Sequence, residues 1–275
     1  MATLSVIIAA HGSSHHQGGA SVAERCRTQL LDAGFVTGDV LVALWKGEGL
    51  RLNQAIAACP PGYVLIIPLL MNDGYFGEKV FPREFGSPVQ TEGWQRQGDH
   101  HVRLSPPAGL DPRFDALVLE QALDVLRRVD KPRLILTGHG TERDPRSSRR
   151  LHDLAAQIRS AAPDAASRLQ IAFLDESPTI QEALRQAPTE SLRQTHAEAL
   201  HEVNTPNQAQ PEAPTVILPW FSADGAHAGE DIPAAVEDWG GSAVVLPSVG
   251  ASLFPTICES RARAACDTLR LNDEL

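Results

Sequence analysis

The sequence predicts an α/β protein made of two tandem doubly wound parallel-sheet domains, three-layer αβα units that arise from an internal duplication. Three observations lead there. Short β-branched runs alternate with segments of helical spacing, the alternation starts afresh near the middle, and a His-Gly pair ends the first strand of each cycle. These pairs, at His11 and His139, stand 139 − 11 = 128 positions apart. Continuous apolar strands joined by helical crossovers imply parallel sheets covered on both faces.

The first cycle opens with "LSVIIAA" (Leu4 to Ala10), followed by "SVAERCRTQLLDAG", a helical pattern that Gly34 stops. "DVLVALW" (Asp39 to Trp45), "YVLIIPLL" (Tyr63 to Leu70) and a weaker "HVRL" (His101 to Leu104) are its further strands. The second cycle supplies "RLILTG" (Arg133 to Gly138), "LQIAFL" (Leu169 to Leu174), "TVILPWF" (Thr215 to Phe221) and "SAVVLP" (Ser242 to Pro247). In both, the third strand ends in an apolar run containing proline, "IIPLL" against "ILPWF". Asp130 to Pro132 interrupts the helical pattern within "RRVDKPR", so the expected domains are residues 1–130 and 131–275. Ala187 to Pro214 reads as a helix followed by a mobile surface loop, and "LFPTICESRARAACDTLRL" as the last helix.

Bulk properties narrow the function. A chain of 275 residues with 43% hydrophobic and 21% charged residues fits a soluble globular protein. No apolar run approaches the roughly 20 residues of a membrane-spanning helix, so no membrane partner is expected. The amino terminus has no basic segment before its apolar stretch, which predicts a first strand rather than an export signal, and a cytoplasmic location. A net charge of −10 and a pI near 5.4 disfavour nucleic-acid binding, and an anionic ligand would need a local basic pocket. Cys26, Cys59, Cys258 and Cys266 lack C-x-x-C spacing and are expected to be reduced core thiols rather than cluster ligands.

The candidate chemistry lies at the strand ends. In open parallel sheets, ligands bind beyond the carboxyl ends of the strands, where His11 and His139 are placed. An imidazole held there by a rigid strand yet reaching solvent suits metal binding or proton transfer, and Gly12 or Gly140 beside it lets a flat ligand approach the backbone. "LPWFSADGAHAGEDIP" puts His227 in the loop after the third strand, with Glu230 and Asp231 at the start of a helix that tolerates Pro233 in its first turn. Strands one and three of such sheets are usually neighbours, so His139 and His227 should face each other across a cleft. Two imidazoles with carboxylates nearby could hold a divalent first-row ion.

Three ordered motifs carry a resemblance. "GHGTERDPRSSRRLHDLAAQIR" (Gly138 to Arg159), "IAFLDESPTIQEAL" (Ile171 to Leu184) and "VILPWFSADGAHAGEDIP" (Val216 to Pro233) are similar to motifs of the CbiX-like sirohydrochlorin cobaltochelatase/ferrochelatase family, the class II tetrapyrrole chelatases. The first half is similar but degraded. "AAHGSS" keeps its His, whereas "IPLLMNDGYFGEKVFP" has Phe76 where the motif has His and Val80 where it has Asp. The resemblance implies chelatase-like domains that insert Co²⁺ or Fe²⁺ into sirohydrochlorin or a related tetrapyrrole, in cobalamin or siroheme biosynthesis, in a cleft between two α/β domains. It makes His139 and His227 the metal-binding and proton-accepting pair. The divalent metal is then a substrate, and no organic cofactor is implied.

Glu176, in "FLDESP", is a candidate third metal ligand, with a solvated carboxylate as the competing reading. Arg143, Arg146, Arg149 and Arg150 crowd the helix start after His139. Guanidinium groups there suit the carboxylates of sirohydrochlorin, and a solvated face is expected for Arg149 and Arg150. His11 and Phe76, the latter with Tyr75 and Trp45, are candidate substrate contacts offering an imidazole and flat apolar surface. His15 and His16 are expected to be solvated, and His100, His101, His152, His196 and His201 structural. A histidine phosphatase would need Arg before its His, where Ala10 and Gly138 stand, and no G-x-S-x-G elbow of a serine hydrolase occurs. The rival from another class is a noncatalytic metal or tetrapyrrole carrier that kept the cleft and lost turnover.

Overall fold

Each cycle is built on a first strand buried along its whole length. The computed structural model describes residues 3–12, 18–72, 80, 93–141, 146–186, 214–223 and 227–273. In the first unit, β1 (Leu4–Ala10), β2 (Val40–Leu44), β3 (Gly62–Pro68), β4 (Gln95–Gln97) and β5 (His100–Leu104) form a sheet of order β2-β1-β3-β5-β4. Its pairs are parallel except β4 with β5. Strand β4, polar and three residues long, has no periodicity to reveal it.

Side-chain alternation explains why β1 lacks a polar face. Ile7 and Ala9 join a core cluster with Leu52, Ala55 and Ile56 of α2 (Leu52–Ala58). The intervening residues point to the opposite face, and α1 (Gly18–Ala33) buries Val22, Ala23, Cys26 and Leu30. A further helix, α3 (Pro112–Arg128), starts after a 3₁₀ turn at Ala108–Leu110. Asp111 caps it. Its Oδ1 accepts the Arg113 amide at 3.1 Å, and its carboxylate takes a bidentate pair of 2.8 Å bonds from the Arg113 guanidinium.

The Arg113 side chain holds the Asp111 carboxyl below its ordinary range. Because the folded-state value is depressed, the stability this group contributes is fully present above the unfolded value near 4 and is lost as pH falls through the folded value. Asp111→Asn keeps a capping oxygen and removes the ion pair. Urea unfolding is therefore expected to show the variant weaker than wild type by about 0.5–1 kcal/mol at pH 7, with the gap closing below pH of about 4. A gap of equal size at pH 7 and pH 3 would count against the ion pair.

The second unit contains β6 (Arg133–Gly138), β7 (Leu169–Phe173), β8 (Thr215–Pro219) and β9 (Ala243–Val245), parallel throughout in the order β7-β6-β8-β9. Leu151, Leu154, Ala155 and Ile158 of α4 (Arg146–Ala161) are buried. Ile135, Ala172 and Ile217 pack with Ile180 and Ala183 of α5 (Ile180–Arg185) and Ile232 and Ala235 of α6 (Ile232–Trp239). A reciprocal cap starts α5: Thr179 Oγ1 accepts from the Glu182 amide at 3.1 Å, and Glu182 Oε2 accepts from the Thr179 amide at 2.7 Å. Arg133 is buried at the start of β6, and its guanidinium donates to Gln170 Oε1 and to the Leu184 carbonyl.

The fold is thus α/β with two sheets in which parallel pairing dominates, as the sequence predicts. Strands one and three are neighbours in both, β1 with β3 and β6 with β8. The compact units nevertheless depart from 1–130 and 131–275. They comprise Met1–Phe114, Ser222–Ala226 and Val249–Leu275 in the first, and Asp115–Phe221 and His227–Ser248 in the second. The last helix, α7 (Val249–Asp273), causes this by packing against α1 in the first unit. Gln29 Nε2 donates to Glu259 Oε2 at 2.7 Å, Arg25 to the Ala251 carbonyl, and Arg261 to Ser105 Oγ at 3.1 Å, while Phe254 meets Phe114 edge-on at 5.3 Å.

All four cysteines are buried thiols. A hydrogen bond with Cys26, together with burial, pushes the Cys258 thiol well above its usual value, which suits a protonated core group and not a metal ligand. No helix among the described residues is long and apolar enough to cross a membrane. The expected helix and loop at 187–213 lie outside the described residues.

Candidate active site

The site begins where β6 ends. Gly138 is covered by the Leu151 side chain, so the strand runs buried to its last residue and His139 is the first to emerge. The chain then turns through Gly140 at φ +67°, in the left-handed region that favours glycine. A Cβ at Gly140 would lie 2.6 Å from Glu176 Cγ and 2.7 Å from Phe173 Cβ, so glycine is also required for space. The loop leaving β7 fastens this turn: the His139 carbonyl accepts from the Leu174 and Asp175 amides, each at 3.0 Å, and Glu176 Oε2 accepts from the Thr141 amide at 2.8 Å.

These backbone bonds bring an acid to the imidazole. His139 Nδ1 lies 3.1 Å from Asp175 Oδ2 and 3.1 Å from the Gly140 carbonyl oxygen. Both partners are acceptors only, so Nδ1 carries the proton and the lone pair of the neutral ring is on Nε2. The two side chains are 51% and 59% exposed, which makes the pair a device for orientation more than for stability. Sequence reasoning singled out Glu176 and missed Asp175. The adjacent acids of "FLDESP" were the available signal, but only the His139 to Asp175 backbone bond decides which one meets the ring.

His227 opens a π-helical turn, His227–Asp231, that runs into α6 with Pro233 in its first turn. Its backbone is thus helical where a loop was expected, because the turn is continuous with α6. Its side chain lies outside the described residues, as do that of Arg146 and the whole of Arg143, Phe76, Tyr75, His15, His16, His196 and His201. Among the described residues, no group of three His, Cys, Asp or Glu side chains converges as a metal site. Arg150 does not belong to a solvated face. It donates to Asp115 Oδ1 at 2.8 Å and lies 5.8 Å from the centre of the buried Trp220 ring, whereas Arg149 is exposed.

His11 repeats the geometry in the first unit. It is exposed at the end of β1, its Nδ1 stands 2.8 Å from the Gly12 carbonyl, and Gly12 turns at φ +67°. Its ring meets Trp45 at 5.8 Å where His139 meets an acid. Val80 is buried and lines a recess there. His101 stacks on Tyr63 at 5.1 Å, and His152 lies 6.0 Å from Phe173.

Comparison with known proteins bears on the same segment. Residues 133–251, from the first residue of β6 into the first turn of α7, match the family model CbiX. That segment is similar to the CbiX family. Every described residue of the His139 site falls within this CbiX segment. Over 245 residues the chain is 26% identical to a probable sirohydrochlorin cobaltochelatase of Halobacterium salinarum, covering 83% of this chain and 75% of that protein. Among solved structures, SirB from Bacillus subtilis with Fe³⁺ matches with a TM-score of 0.66 at 16% identity, over 95% of this chain and 94% of SirB. A multi-domain Deinococcus radiodurans protein with structural similarity to chelatases and two additional domains matches with a TM-score of 0.65 at 21% identity. That match covers 95% of this chain, which spans only 55% of the Deinococcus protein. At these identities the structural likeness shows a chelatase-like fold that extends beyond the CbiX segment.

Proposed function

We propose that this chain inserts a divalent metal ion, Co²⁺ or Fe²⁺, into sirohydrochlorin or a related tetrapyrrole. The observation that carries this is the His139 imidazole, held at the end of β6 with Nδ1 toward Asp175, inside the segment that matches the CbiX model. Support comes from the Halobacterium relative, named a probable sirohydrochlorin cobaltochelatase, and from the SirB structure that contains iron.

Insertion exchanges two pyrrole N–H protons for one M²⁺ ion, which must also shed water. Nε2 of His139 can replace a water ligand or accept a proton, and Asp175 stabilises the resulting imidazolium. In this proposal His227 supplies the second imidazole and Glu176 a nearby negative charge, while His11, Arg143, Arg146 and Phe76 contact the macrocycle. Neutral imidazole suits Co²⁺, Fe²⁺ and Ni²⁺ alike, so ligand type does not choose the metal. The second sheet and its helices would form the working repeat and the first sheet its degenerate copy, a duplication supported by the shared strand order. A cytoplasmic setting belongs to the same proposal and is supported by four thiols free of disulfides.

Sirohydrochlorin mixed with protein and Co²⁺, Fe²⁺ or Ni²⁺ and followed by absorbance tests the reading. Faster metallation than the protein-free control is expected. A shifted but unmetallated spectrum would instead identify a carrier. Glu176 has two separable roles. Glu176→Gln keeps an acceptor for the Thr141 amide and removes the charge, so KM for Co²⁺ should rise by about tenfold at unchanged unfolding midpoint. Glu176→Ala should add a loss of about 1 kcal/mol in stability. Equal metal KM values in wild type and Glu176→Gln would remove Glu176 from the metal path.

A further inference from the structure

The first turn of α7 lacks a bond that an uninterrupted helix would make. Pro255 stands inside α7 and has no N–H, so the Ala251 carbonyl, one helical turn earlier, receives no hydrogen bond from within the helix. Arg25 of α1 supplies the missing donor: its guanidinium bonds to the Ala251 carbonyl. Beyond this turn α7 is held by packing, with Phe254, Ile257 and Cys258 fully buried and Gln29 of α1 bonded to Glu259. The turn that Pro255 would leave loose is thus tied down by an exposed arginine.

What rests on this turn is the chain leaving β8. Gly250 faces the backbone of Ser222, and a Cβ on it would stand 2.5 Å from Ser222 Cα and 2.6 Å from the Ser222 carbonyl carbon. Backbone meets backbone there, so glycine is required for space. Both residues belong to the first unit. Directly before Ser222, the Trp220 amide donates to the Thr137 carbonyl at 2.7 Å, and Phe221 is buried in a core cluster with Ala228 and Ile232. His227 immediately precedes Ala228. The stretch between Phe221 and Ala228 therefore has both ends fixed, and the seat at Ser222 sets how the chain approaches the His227 turn.

We infer that Gly250 and Arg25 are positioning residues for His227: Gly250 seats the chain that leads to it, and Arg25 holds the turn on which Gly250 stands. The inference rests on the proposed function only for the role of His227 as the second imidazole.

The test reads the Co²⁺ affinity of the full chain by titration calorimetry, which needs no metallation. Gly250→Ala displaces Ser222 and should raise the Kd for Co²⁺ by about tenfold. Arg25→Ala should raise it by about threefold, and Arg25→Lys, which keeps a donor, should restore most of the affinity. As a surface change, Arg25→Ala carries the test if Gly250→Ala does not fold. Both losses should vanish in His227→Ala protein, because nothing is left to position, whereas a general loosening of the fold would weaken Co²⁺ binding in either background. An unchanged Co²⁺ Kd in the folded variants, or equal losses with and without the His227 ring, overturns the inference. The His227-dependent pattern in a protein that does not accelerate metallation sustains it and removes the proposed activity.

Discussion

Replacing His139 by Ala is expected to slow metal insertion into sirohydrochlorin by about 100-fold or more, with an unfolding midpoint close to wild type. The side chain is half exposed and its ion pair with Asp175 adds little stability, so its removal should affect chemistry rather than folding. Asp175→Asn refines the test. Its amide can present an oxygen to Nδ1 but no charge to an imidazolium, so a smaller loss is expected. Initial rates with Co²⁺ across pH would measure both variants. Rates for His139→Ala within twofold of wild type would exclude the ring as ligand or base, and loss on His11→Ala alone would move the chemistry to the first unit.

The largest loss of stability should follow from Gly12→Ala, with Gly140→Ala next. Both residues turn at φ +67°, where an L side chain is strained by roughly 1–2 kcal/mol. At Gly12 the added Cβ would overlap the Lys46 carbonyl oxygen, a backbone atom that already accepts no give from a loop tied to His11. At Gly140 the obstacles are the side chains of Glu176 and Phe173, and the Glu176 side chain can shift. Urea unfolding should therefore show a cost of about 3–4 kcal/mol for Gly12→Ala and about 2–3 kcal/mol for Gly140→Ala. The reverse order, or two losses below about 1 kcal/mol, would show that these turns are not the rigid elements described.

The strands were legible because their signal is local. Runs such as "LSVIIAA" and "RLILTG" are apolar at every position, which only a sheet covered on both faces accommodates. His139 was legible for the same reason, as the first polar side chain after such a run. Asp175 was not. Its approach to the ring depends on which amide of the β7 exit loop bonds to the His139 carbonyl, and two adjacent acids look alike in sequence. The reading of Arg150 as solvated failed similarly, since its partners, Asp115 and Trp220, are 35 and 70 positions away along the chain.

By itself the sequence determined two α/β cycles, the position of a His-Gly pair at the end of each first strand, and burial of the cysteines. These follow from hydrophobic periodicity and from the conformations open to each residue type. Tertiary structure alone decided that α7 packs in the first unit, that Asp175 is the partner of His139, and that Trp45 meets the ring of His11. Each of these rests on hydrogen bonds and packing between residues far apart in sequence, whose pairing no local pattern encodes.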